Sequence, residues 1–363
     1  MNVLLHLRSA VIISALALSV PAFAQQEAGQ LIKSGAENAT KLTEAYLRPV
    51  FKGFGIGLNS GWSNTGSTKN LGRFDIRLSA TGAFVPQKDK SFDLTKLGLS
   101  PNIRPANPNH TITPTAAGDD TDGPELIVYD ETNSYEVDRF RMPAGTGLPF
   151  VPTPQLQITM GLPRGIDVSL RGFPEIDLGE DLGSVKMIGA GIKIEPLRLI
   201  SKTVNKIMPV DLALAFGFTR FDYSVDLDVE RPDNAVPEDP QQNQDYSNQR
   251  IEAKISGISV EAIVSKKLAF FTPFLSVGYN SSTTDGGLRG NYPIISGASL
   301  SNGNIIPTYS TFTDPVNIKE TYVSNMRANL GFQLNLAFFR LYSSYSLGEY
   351  NSFNAGIGFG IGK

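Results

Sequence analysis

Apolar and polar residues alternate with a period of two through most of this chain, and that period sends successive side chains to opposite faces of an extended strand. Phe74, Ile76, Leu78, Ala80, Gly82 and Phe84 alternate with Arg73, Asp75, Arg77, Ser79 and Thr81. Met326, Ala328, Leu330, Phe332, Leu334 and Leu336 interleave with Asn325, Arg327, Asn329, Gly331, Gln333 and Asn335. The same rule gives a strand at 53–62, where Phe54, Ile56, Leu58 and Trp62 alternate with glycines and Asn59. In all, the pattern predicts eleven strands, at 53–62, 73–85, 153–161, 165–175, 184–194, 210–228, 250–264, 267–280, 321–336, 337–347 and 351–361.

Most of these match the ~9–11 residues that a tilted strand needs to cross a bilayer, against about 5–6 for an ordinary strand. Ser265–Lys267 and Leu336–Phe338 are tight connections, whereas 230–249 and 281–320 are long and polar. Short turns at one end and long loops at the other mark an outer-membrane barrel. Lipid cannot hydrogen-bond an open sheet edge, so such a sheet must close. The expected fold is all-β, a transmembrane antiparallel barrel of about 10–14 strands with an N-terminal helix. A soluble sandwich would alternate likewise, but it needs neither so many long strands nor so little charge. Bacterial barrels have even strand numbers, so an eleven-strand reading leaves one more to be found between Pro86 and Phe150, at Leu126–Tyr129 or Tyr135–Met142. Parity breaks at Phe218–Phe221 and Gly257–Ile258 predict β-bulges or strands running past the membrane. Trp62, Phe84, Phe173, Tyr279, Tyr322 and Tyr345 fall near strand ends, where aromatic girdles form.

Helical spacing occurs twice. Ala28, Leu31, Ile32, Ala36, Ala39, Leu42, Ala45 and Tyr46 make an apolar stripe on a helix at 27–47 that ends before Pro49. Only Arg48–Lys52 join it to the first strand, so it is expected to plug or cap the periplasmic opening. A second helix at 197–207 presents Leu197, Leu199, Ile200, Val204 and Ile207 to a barrel rim. Ahead of both, Arg8, the apolar run Ala10–Val20 and Ala22-Phe23-Ala24 form a secretory signal peptide, cut after Ala24. The organisation is then a signal peptide at 1–24, a helix at 25–49 and a barrel over 50–363, with long loops near 86–150, 230–249 and 281–320. The expected location is the cell outer membrane.

Composition narrows the chemistry. Of 363 residues only 18% are charged, and 32 Lys and Arg stand against 35 acids, a balance that points to no nucleic-acid partner. There is no Cys, which removes disulfides, thiol catalysis and thiolate metal sites. After signal cleavage His110 is the sole histidine, in the Pro/Asn-rich run Asn107–Thr111 with no patterned nucleophile nearby. No Gly-x-Ser-x-Gly, His-Glu-x-x-His or Walker pattern occurs, so neither catalysis nor a cofactor is expected. Asp119–Glu125 has the oxygen density of a calcium loop without its spacing and reads as a solvated acidic turn. Asp226, Asp228, Glu230, Asp233, Glu238 and Asp239 read as a solvated loop, the lesser alternative being divalent cations that bridge it to lipopolysaccharide.

The informative set lies on the polar parity: Arg73, Asp75, Arg77, Asp167, Arg171, Asn325, Arg327, Asn329, Gln333 and Arg340. These residues would line the lumen, either as a solute path biased toward anions by its arginines or as a filled interior whose charges satisfy each other.

The run Glu44–Trp62 (EAYLRPVFKGFGIGLNSGW) followed by Leu71–Asp75 (LGRFD) resembles a family of outer-membrane barrels catalogued as a domain of unknown function. Pro154–Gly165 (PQLQITMGLPRG), Val185–Gly191 (VKMIGAG) and Leu212–Phe218 are similar to that family's middle section. The resemblance spans nearly the whole mature chain and implies fold and location without an activity. A helix ahead of a barrel is also similar, more remotely, to transporters of hydrophobic compounds of the long-chain fatty-acid type. The expected function is passage of small solutes, hydrophobic ones included; the alternative is a non-conducting barrel that binds a partner or stabilises the envelope, and a hydrolase comes third. Outer-membrane lipid, lipopolysaccharide, the barrel-assembly machinery and an unidentified small solute are the expected partners.

Overall fold

The computed structural model describes residues 31–130, 135–200, 208–232, 234–301 and 304–360; the expected signal peptide, the start of the first helix and residues 201–207 of the second lie outside these ranges. Ten long strands form the wall: β1 (Phe74–Phe84), β2 (Phe150–Leu162), β3 (Ile166–Asp177), β4 (Ser184–Ile194), β5 (Asp211–Asp226), β6 (Arg250–Ser265), β7 (Phe271–Arg289), β8 (Asn317–Leu336), β9 (Phe339–Leu347) and β10 (Ser352–Gly360). Each pairs antiparallel with its neighbours in the chain, and β1 pairs with β10 to close the barrel. Followed around the wall, the register leaves β8 at Val323 and returns to it at Asn335, about a dozen residues along, the stagger that goes with steeply tilted strands and a narrow interior.

The outer face carries the apolar parity. Leu330 is 66% exposed and Ile357 58%, and on β7 the outward row Phe271, Leu275, Val277 and Tyr279 gives way above to Ser281, Thr283 and Asp285. A band with nothing to pack against, about nine residues tall along a tilted strand, is what hydrocarbon requires. The parity break predicted at Phe218–Phe221 is the edge of that band and not a bulge, because the β4–β5 and β5–β6 ladders run unbroken through it. Outward Phe216 and Phe218 are followed by Arg220, while inward Gly217 and Thr219 are followed by Phe221, Tyr223 and Val225. At Gly257–Ile258 on β6 the ladders are equally regular.

Two expectations fail together. The segment 53–62 is not a strand; residues through Asn59 belong to helix α1 (Ala36–Asn59), which runs straight through Pro49. The strand count is therefore even without a further strand between Pro86 and Phe150, where 125–129 and 136–141 pair in a small sheet with 103–105 beyond the rim. Proline inside a helix costs about 3 kcal/mol, and Gly53, Gly55 and Gly57 weaken it further. Burial of Phe51, Phe54, Ile56 and Leu58 outweighs this, at about 1.5–3 kcal/mol per large apolar side chain. The glycines are what let the helix fit: a Cβ on Gly53 would lie 2.7 Å from Val151 of β2, one on Gly55 2.6 Å from Ser282 Cβ of β7, and one on Gly57 closer still to Thr153.

The helix also enters from the other end. Its first half lies under the long β1–β2 connection, where Leu42 joins Leu94, Ile103, Leu126, Val128, Phe140 and Met142 in one apolar cluster and Tyr46 Oη donates to the Ala144 carbonyl at 2.7 Å. Its second half descends into the lumen, and residues 60–72 continue down to the short-turn rim where β1 begins. A periplasmic cap on a short link is thus replaced by a segment that threads the whole barrel. At that rim α2 (Pro196–Ile200) follows β4. The 281–320 loop is shorter than expected, since β7 and β8 extend to 289 and from 317 and a hairpin of 291–301 with 304–313 stands between them.

Candidate functional site in the barrel lumen

The upper lumen is apolar. Phe51, Phe54, Ile56 and Leu58 of α1 pack with Val151, Val185, Met187, Phe221, Ile255 and Val323 from the wall, and the Phe54 and Phe221 rings meet at 4.6 Å. The lower lumen is polar, and its centre is the C-terminus of α1.

A helix ends with four carbonyls lacking partners and with partial negative charge. Here wall side chains supply both donors and charge. Gln155 donates to the Gly57 carbonyl. Arg171 donates to those of Leu58 and Ser60, each at 2.9 Å, and Arg327 to that of Asn59 at 2.6 Å. Arg77 donates to the Gly61 carbonyl and, at 3.2 Å, to that of Trp62, which Gln157 also reaches. Four strands, the adjacent β1, β2 and β3 together with β8 across the barrel, therefore grip one short stretch of backbone.

Charge balance within this clamp is uneven. Arg327 is paired with Glu261. Arg171 is 3% exposed and, among the described residues, has no carboxylate within salt-bridge reach; Gln157 Oε1 accepts from it at 2.8 Å. The helix terminus and the Trp62 ring, 3.9 Å from its guanidinium carbon, compensate the cation instead. The indole sits in a notch where Gly191 and Gly217 leave room; a Cβ on Gly191 would fall 2.7 Å from it.

Below the clamp the coil is tied to the wall at each step. Ser265 Oγ accepts from Gly66 N–H at 2.8 Å, and Glu195 from the Thr68 hydroxyl at 2.8 Å. Lys193 bridges the Ser67 carbonyl (2.7 Å) and Asp167 (3.1 Å). Asp75 collects Arg340 (3.1 Å), Lys69 (3.7 Å) and Tyr342 Oη (2.7 Å). Beside these contacts lies a small polar cavity lined by Asn64, Lys69, Asp75, Arg77, Asp167 and Lys193, with room for a water or two.

Of the residues singled out in the sequence, Asp75, Arg77, Asp167, Arg171, Arg327 and Arg340 converge on this segment. Asn329 faces inward and donates to Ser276 at 2.6 Å, Gln333 borders the cavity, and Asn325 donates to Glu349 at 3.1 Å nearer the long-loop end. Arg73 is exposed at the lower rim, just outside β1. Gln155, Gln157, Lys193, Glu195 and Glu261 were missed; Lys193 and Glu261 share an inward parity with Met187 and Ser259, so the alternation contained them. Glu261 and Glu195 join Asp75 and Asp167, yet the interior cations still outnumber them; Arg77 and Arg171 are turned to the carbonyls of the threaded segment instead of to carboxylates. Trp62 is in the lumen, not in a girdle, and Phe173 and Tyr322 pack on the interior apolar cluster; Phe84, Tyr279 and Tyr345 are the outward aromatics. His110 is exposed in its loop. Asp122 and Glu125 turn to Arg141 and Arg139 at 3.1 and 3.2 Å, so the acidic turn does not converge.

Fold and lumen together define a class: an outer-membrane-type β-barrel closed by its own N-terminal segment. The chain belongs to a protein family of unknown function, DUF6588, whose model matches residues 1–361. No curated protein matches it. Among solved structures it is similar to Neisserial surface protein A (10% identity, TM-score 0.24, covering 79% of this chain and 96% of that one). It is similar also to the translocator domain of the autotransporter NalP from Neisseria meningitidis (9%, 0.30, 92% and 99%) and to the Pseudomonas putida toluene transporter TodX (9%, 0.25, 83% and 70%). At these values the likeness extends no further than general barrel form.

Proposed function

We propose that this chain resides in the outer membrane, delivered by the signal peptide at 1–24 and the barrel-assembly machinery, and provides a gated passage for small solutes. The clamp on residues 57–62 carries the reading. It closes the lumen in the resting state through side chains, not through a strand ladder, so the plug can shift while the wall stays intact. The coil at 60–72 is irregular and borders a small polar cavity, so its packing against the wall is incomplete. The alternative is a permanently closed scaffold whose crown meets lipopolysaccharide or a partner.

Planar-bilayer recording separates the two. The full-length protein should be silent or nearly so, while deletion of residues 25–59 should give stepwise conductance. Gly57→Leu, which wedges the helix off Thr153 without removing it, should raise open probability. A deletion variant that folds, retains heat-modifiable mobility and stays silent would reject the axial gate.

A further inference from the structure

One seam of the wall is short. β2 and β3 span Phe150–Leu162 and Ile166–Asp177, yet their ladder ends at Gln157↔Arg171 after six pairs. The other edge of β2 is paired with β1 up to Phe84↔Phe150, and β3 stays with β4 up to Asp177↔Ser184 across a bulge at Phe173–Ile176. Both strands therefore continue upward without each other.

The sequence writes this gap. Gly161 N–H donates to the Arg73 carbonyl, and the Pro149 carbonyl accepts from Val85 N–H, so odd-numbered residues of β2 direct their backbone groups to β1 and even-numbered ones to β3. Pro152 and Pro154 occupy even positions, where the missing N–H is a donor toward β3. By the same parity Gly172 of β3 faces β2, and the bulge at Phe173–Ile176 follows directly. Gly172 has φ +136°, and any Cβ there would strike the Met187 carbonyl, so the strand turns aside at a residue that must be glycine. Pro152, Pro154 and this glycine keep the seam unzipped.

Apolar groups border its lower part on both sides, while Glu175 and Asp177 are exposed along its upper part. Outside, Gly172 pairs with Ile188, 60% exposed in the apolar band; Lys186, exposed two residues higher, marks the band's edge, so the gap starts inside the outer leaflet. Behind it Val151 and Thr153 meet Gly53 and Gly57 of α1, and Leu47, Val50, Phe173 and Ile176 border the same apolar cluster. Thr153 Oγ1 is buried with no partner.

We propose that the β2–β3 seam is a lateral portal through which a small apolar molecule dissolved in the outer leaflet enters the barrel beside α1. This rests on the gated-passage reading and gives it a substrate class and a route. A charged or strongly hydrated solute would have to leave water to use it; an alkyl or aryl hydrocarbon would not.

The chain has no cysteine, so single thiols report on the seam cleanly. In lipid vesicles, Thr153→Cys should react with a maleimide carried on an alkyl chain at least an order of magnitude faster than Ala215→Cys, an equally inward position whose strand is paired on both sides. Adding Pro152→Val and Pro154→Val restores donors and should slow that labelling; Pro154→Val alone serves if the double change does not fold. Equal rates for the Thr153→Cys and Ala215→Cys variants, or labelling indifferent to the valines, would overturn the portal. Labelling does not depend on conductance, so a silent deletion variant with fast labelling would reject the axial gate and leave the portal standing.

Discussion

Arg171 shows how much one side chain can decide. It donates to two carbonyls that have no other strong donor, with only Thr219 Oγ1 at 3.4 Å from Leu58 O. Arg171→Met should destabilise the folded barrel by at least about 2 kcal/mol, since each buried acceptor left without a partner costs about 1–3 kcal/mol; urea unfolding in lipid vesicles measures it. Arg171→Lys should recover little, because one ammonium cannot reproduce a planar fork across Gln157 and two carbonyls. On the outer face the expectation is different in kind. Leu330→Arg should cost about 2–4 kcal/mol, the penalty for a cation at the bilayer midplane, whereas Leu330→Ala should be mild. Tolerance of the arginine substitution would contradict the membrane-facing assignment of that row.

Among the elements, the wall was legible and the plug was not. Ten strands follow from alternation because one face meets lipid and the other does not, and 184–194 emerges with its ends unchanged. Alternation misled at Gly53–Trp62 for a physical reason. Large residues at every second position satisfy a strand, but they also satisfy a helix enclosed on all sides, where apolar residues may point anywhere and glycines are needed wherever the wall comes close. No local signal distinguishes the cases; the barrel imposes the helix. A peptide of residues 36–59 should accordingly show little helix by circular dichroism in water, and strong helicity would reject that account. The prolines at 152 and 154 make the seam legible in the sequence, since proline marks an unpaired edge.

For the whole molecule, everything rests on where residues 31–72 run. Apart from Arg73, the polar residues named from parity face inward, but parity does not tell that they meet a backbone instead of water, because the alternation at 53–62 reads as wall. Trp62 tests this without any mutation, being the sole tryptophan of the chain and 5% exposed in its glycine notch. Its fluorescence in the native protein, reconstituted once in vesicles of acyl-brominated lipid and once in unlabelled vesicles with aqueous iodide, reports both alternatives. The threaded plug predicts a Trp62 quenched by neither. Quenching by the brominated chains would put 53–62 back in the wall, and quenching by iodide would mean an open lumen; either result contradicts the account.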